Sequence, residues 1–396
     1  MDLTQTPRSA EYQARLEAFI NERVEPVADV ADPDRAIVEG LKAAARADGL
    51  WNLNVRDADY GPGLSALEYA PLAEVLGTSR LAQEATNTDA PSSINGDALI
   101  RYGSAAQKAR WLEPQLAGQI RSAFAMTEPD VASSDASNMA MTARHTGGEW
   151  VLDGSKWWIS GVLHPQCAYL MTVANTVGAE GAGSSRHRKH TVFLVPRNAP
   201  GLEVVRNLPK FGYTDDAGHC ELRFTDVRVG DDAILGDVGD GFAIGQARLG
   251  PARVQHCMRT IGVAERALTL MCRRAESRET FGTPVASRAN VMDWIAESRI
   301  DIDACRLATL RVAALMDTEG DKAAAPHMSI IKVQVMRMAT TVVDRAIQVH
   351  GAAGVSDDTP LARMYADLRA LRIADGPDEV HLMAIARREL RRQSLG

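Results

Sequence analysis

The sequence predicts an α+β chain, mainly α, in which a small antiparallel β domain interrupts two helical regions. Three observations carry this. Apolar residues recur at helical spacing up to about Gly118, short β-rich runs separated by turn pairs fill the stretch from Arg121 to Val229, and long apolar stripes return from Gly241 onward. The expected boundaries are an N-terminal α-helical domain at 1–120, a middle antiparallel β domain at 121–237 and a C-terminal α-helical bundle, read as a four-helix bundle, at 238–396.

In the first region Tyr12, Leu16, Phe19, Ile20 and Val24 form one stripe, and Leu64, Leu67 and Val75 resume it after the breaker Gly61-Pro62-Gly63. No residue there carries an obvious catalytic group, so scaffold is its expected role. The middle runs SAFAM, NMAMTARH, EWVLDGSKWWIS, AYLMTVA, TVFLVP, LEVVR and CELRF are punctuated by Gly147-Gly148, Asp153-Gly154 and similar pairs. Within them, NTVGAEGAGSSRHRKH is a Gly/Ser loop ending in Arg186, His187, Arg188, Lys189 and His190, either a solvated flexible loop or an anion clamp. The last region has three stripes: Val254, Met258, Ile261, Ala264, Leu268, Met271; then Val291, Ile295, Ile302, Cys305, Val312; then Ile331, Val335, Met338, Val342, Ala346, Val349. Methionines on these stripes read as core fillers.

Composition narrows the function. The 396 residues carry 44 Lys and Arg against 51 Asp and Glu, a net charge of −7, which argues against a nucleic-acid or anionic-membrane surface. Five cysteines without a CxxC pair fit a reducing compartment and give no zinc signature, and no apolar run is long enough for stable membrane insertion. A cytoplasmic protein is expected, with no metal, since the nine histidines show no ligand spacing. The nearest approach to a dinucleotide fingerprint, residues 239–245, sets its third glycine one residue late and lies outside any βαβ alternation. Phosphate-loop, HExxH and GxSxG motifs are absent from the sequence.

The stretch 345–390 is where chemistry is expected. Helical spacing to Val349 breaks at 351–354, resumes over 361–371, and meets an acidic turn, Asp375-Gly376-Pro377-Asp378-Glu379, before a last helix. A carboxylate on such a turn is either a helix cap or, when partly desolvated, a base.

TEP within FAMTEPDVASSD, then KWWISG, RRAESRETFG, QVHGAAG and the acidic turn, resemble in order and spacing the acyl-CoA dehydrogenase family of flavoproteins. The resemblance covers essentially the whole chain. Through LGPARVQHCMRTIG, SRHRKH and RIADGPDEVHL it is similar to the subfamily that in animals is fused to a kinase-like domain, which this chain is not expected to contain.

The resemblance implies FAD, with Phe124, Met126 and Thr127 lining the flavin ring, Ser134 near cofactor or acyl-CoA, and Trp158, Ile159 and Ser160 covering the other side. Arg278 and Phe281, then Gln348, Gly351 and Ala352, would grip the pyrophosphate and adenosine of FAD from the neighbouring subunit of a dimer or tetramer. An Arg fork and small residues suit a diphosphate. Asp375 stands where most of the family has a glutamate base, and Arg253 would support the active site. Ser185, Arg186, Lys189 and His190 would meet the phosphates of CoA.

The implied reaction is dehydrogenation of an acyl-CoA to a trans-2-enoyl-CoA, with electrons leaving to an electron-transfer flavoprotein or similar acceptor. An oxidase of a small acidic carbon compound, and elimination from a 4-oxygenated or phosphorylated acyl-CoA, are the alternatives on the same fold. Three positions depart from the family pattern beside the Asp base: Pro377, Glu379 and Ala352.

Overall fold

A computed structural model describes residues 2–28, 34–176, 178, 185 and 187–394. The chain forms two compact units, Met1–Thr86 with Gly250–Gly396, and Asn87–Leu249.

The first unit is helical. Helix α1 (Pro7–Phe19) starts where Thr6 accepts the Ser9 amide and Pro7 sets the first turn; it continues through a wider π turn, Ile20–Val24, into α2 (Glu25–Ala28). Asp34 caps α3 (Arg35–Ala47), and Ser65 with Glu68 forms a reciprocal capping box on α4 (Ala66–Gly77), which α5 (Ala82–Ala85) follows.

The second unit opens with α6 (Ser92–Tyr102), α7 (Ala105–Gln107) and α8 (Glu113–Leu116). These belong with the sheet because buried Asn95 of α6 donates to Ser122 Oγ and the Ala123 carbonyl, and Gln115 of α8 accepts from Ser122 and Tyr169.

Strands β1 (Arg121–Ala125), β2 (Thr142–Thr146), β3 (Glu149–Ser160), β4 (Cys167–Asn175), β5 (His190–Pro196), β6 (Leu202–Asn207), β7 (His219–Val229) and β8 (Ile234–Leu235) make one sheet, ordered β6-β7-β3-β2-β4-β5-β8, with β1 on β4. It is antiparallel except that β1, and one residue pair of β2, run parallel to β4. The expectation of a wholly antiparallel domain fails there because β1 leaves through the long segment 126–141 instead of a hairpin.

Gly147 and Gly148, at φ 62° and 83°, form the two-residue β2–β3 turn that the sequence marks. Asp153-Gly154, expected as a turn, is instead a bulge within the continuous strand β3; Gly154 at φ 146° lies where a side chain would strike Met141.

The long helices follow as α9 (Gly241–Ser277), a short hairpin of β9 (Glu279–Thr280) and β10 (Thr283–Pro284), α10 (Ala289–Glu319), α11 (Asp321–His350), α12 (Leu361–Leu371) and α13 (Asp378–Ser394). Helices α10 and α11 end at Gly320 and Gly351, both at positive φ. The three stripes expected from sequence pack as one core with α1 and α4, Val254, Ile261, Ile302, Val335 and Val342 each at most 4% exposed.

Where α4 crosses α9, an added Cβ on Gly77 would lie 2.0 Å from the Arg259 carbonyl oxygen, and one on Gly262 1.9 Å from that of Glu74. Backbone cannot yield as a side-chain tip does. Gly77→Ala and Gly262→Ala are each expected to cost about 1–3 kcal/mol or more, read as a lowered urea midpoint with an unchanged slope. A parental midpoint would show that the crossing is looser than this spacing.

Candidate functional site

The acidic turn lies between α12 and α13. Asp375 adopts φ 55° and Gly376 φ 98°, two successive residues at positive φ in the 372–377 connection. Among non-glycine residues Asp and Asn enter this region at least cost, and an outlier of this kind marks a site worth chemical scrutiny.

The turn is held by its backbone. The Asp375 carbonyl accepts from Arg253 Nε of α9 at 3.2 Å and from His381 Nε2 of α13 at 3.3 Å. Burial pushes the His381 pKa down to about 4, so the ring is neutral, and a carbonyl partner requires the proton on Nε2. An added Cβ on Gly376 would lie 2.8 Å from that nitrogen.

The Asp375 side chain is 24% exposed, and its Oδ2 stands 3.2 Å from His256 Nε2 of α9. Lys332 of α11 is buried and donates to the Leu371 carbonyl at 2.6 Å; burial lowers its pKa, with the Asp375 charge the strongest opposing influence. The sequence-assigned pair, Asp375 and Arg253, is thus brought together.

Asp378 has a different job. Only 3% exposed, its Oδ2 accepts from Arg372 Nη2 at 2.8 Å and Arg337 Nε at 3.1 Å. Burial works to raise its pKa, but these two guanidinium groups hold it below the usual range. The expected capping role gives way to a structural ion pair between α11, α12 and α13.

In the second unit, Phe124 on β1 lies under the Arg248 guanidinium, 4.0 Å from the ring centre. The Met126 carbonyl accepts from buried Lys156 at 2.8 Å; Thr127 Oγ1 donates to the Trp157 carbonyl at 2.6 Å and its own carbonyl accepts the Trp157 amide at 2.9 Å. Ser134 is exposed in the following turns.

Trp158, at φ 55°, is 41% exposed. Ile159 is 1% exposed, its side chain within the sheet core, which leaves its backbone to face a ring. Ser160 Oγ is 2.8 Å from His219 Nδ1, whose Nε2 is 2.8 Å from Asp215 Oδ2. Lys210 Nζ also lies 2.9 Å from Asp215, and hydrogen bonds from His219 and Lys210 outweigh burial to hold that carboxyl well below its usual range.

The remaining assigned residues face outward in the single chain. Arg278 is exposed, Phe281 is 100% exposed at φ 50°, and Gln348, Gly351 and Ala352 are exposed.

In the basic loop Ser185 is exposed and Lys189 half-buried, while Arg186 lies outside the described residues. His190 is corrected: as the first residue of β5 it is 0% exposed, its Nε2 at 3.0 Å from the Met139 carbonyl, which removes it from any solvent-facing clamp. Arg188 is paired with Asp240 at 3.0 Å. No group of three or more candidate metal ligands occurs among the described residues, and none of their helices is long and apolar enough to cross a membrane.

Sequence reasoning missed His256, His219 and the Lys156–Glu128 pair. The signals for two of these were a histidine three residues after Arg253 on one helix, and a lysine directly before the apolar run Trp157-Trp158-Ile159.

Comparison with known proteins adds the following. Models of the N-terminal, middle and C-terminal domains of acyl-CoA dehydrogenases match residues 6–119, 123–227 and 239–390. The Mycobacterium tuberculosis protein named Probable acyl-CoA dehydrogenase FadE2 is 47% identical, over 99% of this chain and 98% of its own length. Acyl-CoA dehydrogenase family member 10 of Mus musculus is 46% identical over 98% of this chain, which spans 37% of that longer protein. A solved structure from Mycobacterium abscessus superposes with a TM-score of 0.94 at 45% identity, over 98% of this chain and 100% of that one.

Proposed function

Because the chain belongs to the acyl-CoA dehydrogenase family, we propose that it binds FAD and converts an acyl-CoA thioester to its trans-2-enoyl-CoA. The observation that carries this is the half-buried Asp375 carboxylate on a left-handed turn, its backbone fixed by Arg253 and His381 independently of its side chain. A base must be positioned before its pKa matters. Asp375 takes the α-proton; its shorter reach, relative to the glutamate usual in the family, is offset by the position that its left-handed backbone gives it.

The other residues fit a flat, hydrogen-bonding cofactor. Trp158 offers an exposed indole, Ser160 beside it a hydroxyl oriented by His219, and the 126–127 peptide is fixed by Lys156 and Trp157. FAD, when bound, supplies the acceptor for the β-hydride at its N5. Hydrogen bonds to the thioester oxygen would stabilise the developing enolate. Electrons would pass on to an electron-transfer flavoprotein or similar carrier, in a β-oxidation-type step in a reducing compartment, where five free cysteines are at home.

The purified protein is expected to be yellow and, without oxygen, to be bleached by one member of a panel of acyl-CoAs. A protein that gains no flavin absorbance on incubation with FAD would sink the reading; peroxide formed in air, or phosphate released without net oxidation, would turn it to another reaction on this fold.

A dimer or dimer of dimers is proposed, since the fully exposed Phe281 with Arg278, and the Gln348, Gly351 and Ala352 group, suit residues that complete a neighbour's FAD site. Sedimentation of the flavin-loaded protein as a monomer would contradict this. Ser185, Arg186 and Lys189 are proposed to meet CoA phosphates. Losing a charged hydrogen bond costs about 1.5–3 kcal/mol, so joint Arg186→Ala and Lys189→Ala substitution should raise KM roughly ten- to a hundredfold, and an unchanged KM removes the clamp.

A further inference from the structure

We infer that His256 is a positioning residue for Asp375, locked by Arg259 into the neutral tautomer that donates its Nε2 proton to the carboxylate. The inference rests on the reading of Asp375 as the base.

Arg253, His256 and Arg259 recur every three residues along α9. Arg259 is 6% exposed; its guanidinium donates to the Gln83 side-chain oxygen of α5 and, at 2.6 Å, to His256 Nδ1. A guanidinium has five donors and no acceptor, so Nδ1 must accept. In a neutral imidazole the proton then sits on Nε2, 3.2 Å from Asp375 Oδ2. A second ring proton would set N–H against N–H at 2.6 Å in a part-buried site, which keeps His256 neutral.

The relay has a firm base, because Gly77 of α4 admits no side chain against the Arg259 carbonyl.

Other groups surround the pair from every side. Arg253 of α9 and Lys332 of α11 are cations near Asp375, both with pKa values lowered by burial and drawn back up by its charge. His381 of α13 is neutral, the Cys257 thiol is pushed up to about 12 by burial, and Tyr69 of α4 lies near Arg259. Arg253 also donates to the Asp375 carbonyl, and the Asp375 charge acts on both cations. The His256 contact on the carboxylate is directional, so it bears on the rotation of the acceptor oxygens, and by bonding the charged form it lowers the proton affinity of the base.

The test is the pH dependence of anaerobic flavin reduction in the FAD-loaded enzyme, using the acyl-CoA that bleaches it. In His256→Leu the acidic limb of the profile is expected to move up by roughly one pH unit, a tenfold rise in the proton affinity of the base. In His256→Gln, whose amide can donate, it should return part of the way. A merely structural role would lower the rate without moving the limb. If both variants load FAD and keep the parental limb, the inference is overturned.

Asp375→Asn separates the two claims: parental reduction in that variant removes the base assignment itself, whatever His256 does. Should His256→Leu fold poorly, nitrogen-labelled histidine NMR of the parent, with the His256 signal assigned by its loss in His256→Gln, gives a second reading. A neutral ring protonated at Nε2 throughout the titration supports the inference; an imidazolium or an Nδ1 proton refutes it.

Discussion

Asp375→Asn should keep its FAD and lose about 10² to 10⁴ in the rate of flavin reduction by acyl-CoA, the usual worth of a positioned acid–base group. The fold should tolerate the change for a specific reason. Asn is the residue that best shares the left-handed backbone of Asp375, and the bonds from Arg253 and His381 go to the carbonyl oxygen, which the substitution leaves in place. An effect on rate can therefore be separated from an effect on stability.

Asp375→Glu keeps the carboxylate but moves it outward by a methylene. A misplacement of roughly 1 Å can cost about 10²-fold, so partial activity is expected, and full activity would mean that the turn adapts. Asp378→Asn is the control with the opposite signature. It breaks the buried contacts with Arg372 and Arg337 and should lower the melting temperature while sparing the chemistry of whatever protein folds. Parental flavin reduction in Asp375→Asn, with an inactive but well-folded Asp378→Asn, would place the base three residues later.

What the sequence revealed of this site follows from what kind of interaction each residue makes. Stripes such as Val254, Met258 and Ile261 were legible because burial of a helix face imposes a period on the chain itself, and Gly147-Gly148 because a two-residue hairpin demands positive φ at both positions. Asp375 and Arg253, 122 residues apart, were paired by resemblance; periodicity alone could not bring their helices together.

Interactions without local signal stayed hidden. The bond between Arg259 and His256 depends on two side-chain rotamers and on the α4–α9 crossing at Gly77 and Gly262, which is written in residues nearly two hundred positions apart. His190 misled because a basic run was read as one loop, whereas the strand begins within it. Asp153-Gly154 misled because the same dipeptide serves a turn or a bulge, and only the register with β7 decides which.

Lys156→Met is expected to be the most damaging single change to the second unit. Lys156 is 0% exposed and Glu128 4% exposed, and the ammonium lies 2.8 Å from Glu128 Oε1. Burial pulls the Lys156 pKa down to about 8 against the attraction of Glu128, so the pair exists only because each partner satisfies the other. Glu128 also accepts the Ala140 amide at 2.7 Å and the Met141 amide at 3.0 Å, and these bonds close the 126–141 segment on itself just before β2, while Lys156 links it to β3.

Removing the cation leaves a buried carboxylate without a counter-charge, at a cost of about 3–5 kcal/mol, or roughly 6–20 °C in the melting of a unit of this size. Replacing both partners by uncharged residues of similar shape removes the stranded charge. The double variant Lys156→Met/Glu128→Gln should therefore melt well above Lys156→Met alone.

FAD retention should follow the same order, because Lys156 also holds the Met126 carbonyl next to Thr127 in the segment assigned to the flavin ring. Thermal unfolding followed by circular dichroism, with released flavin followed by fluorescence, reads both effects together. A Lys156→Met protein that melts with the parent, or a double variant no better than the single, would show that water or a rearranged side chain satisfies Glu128.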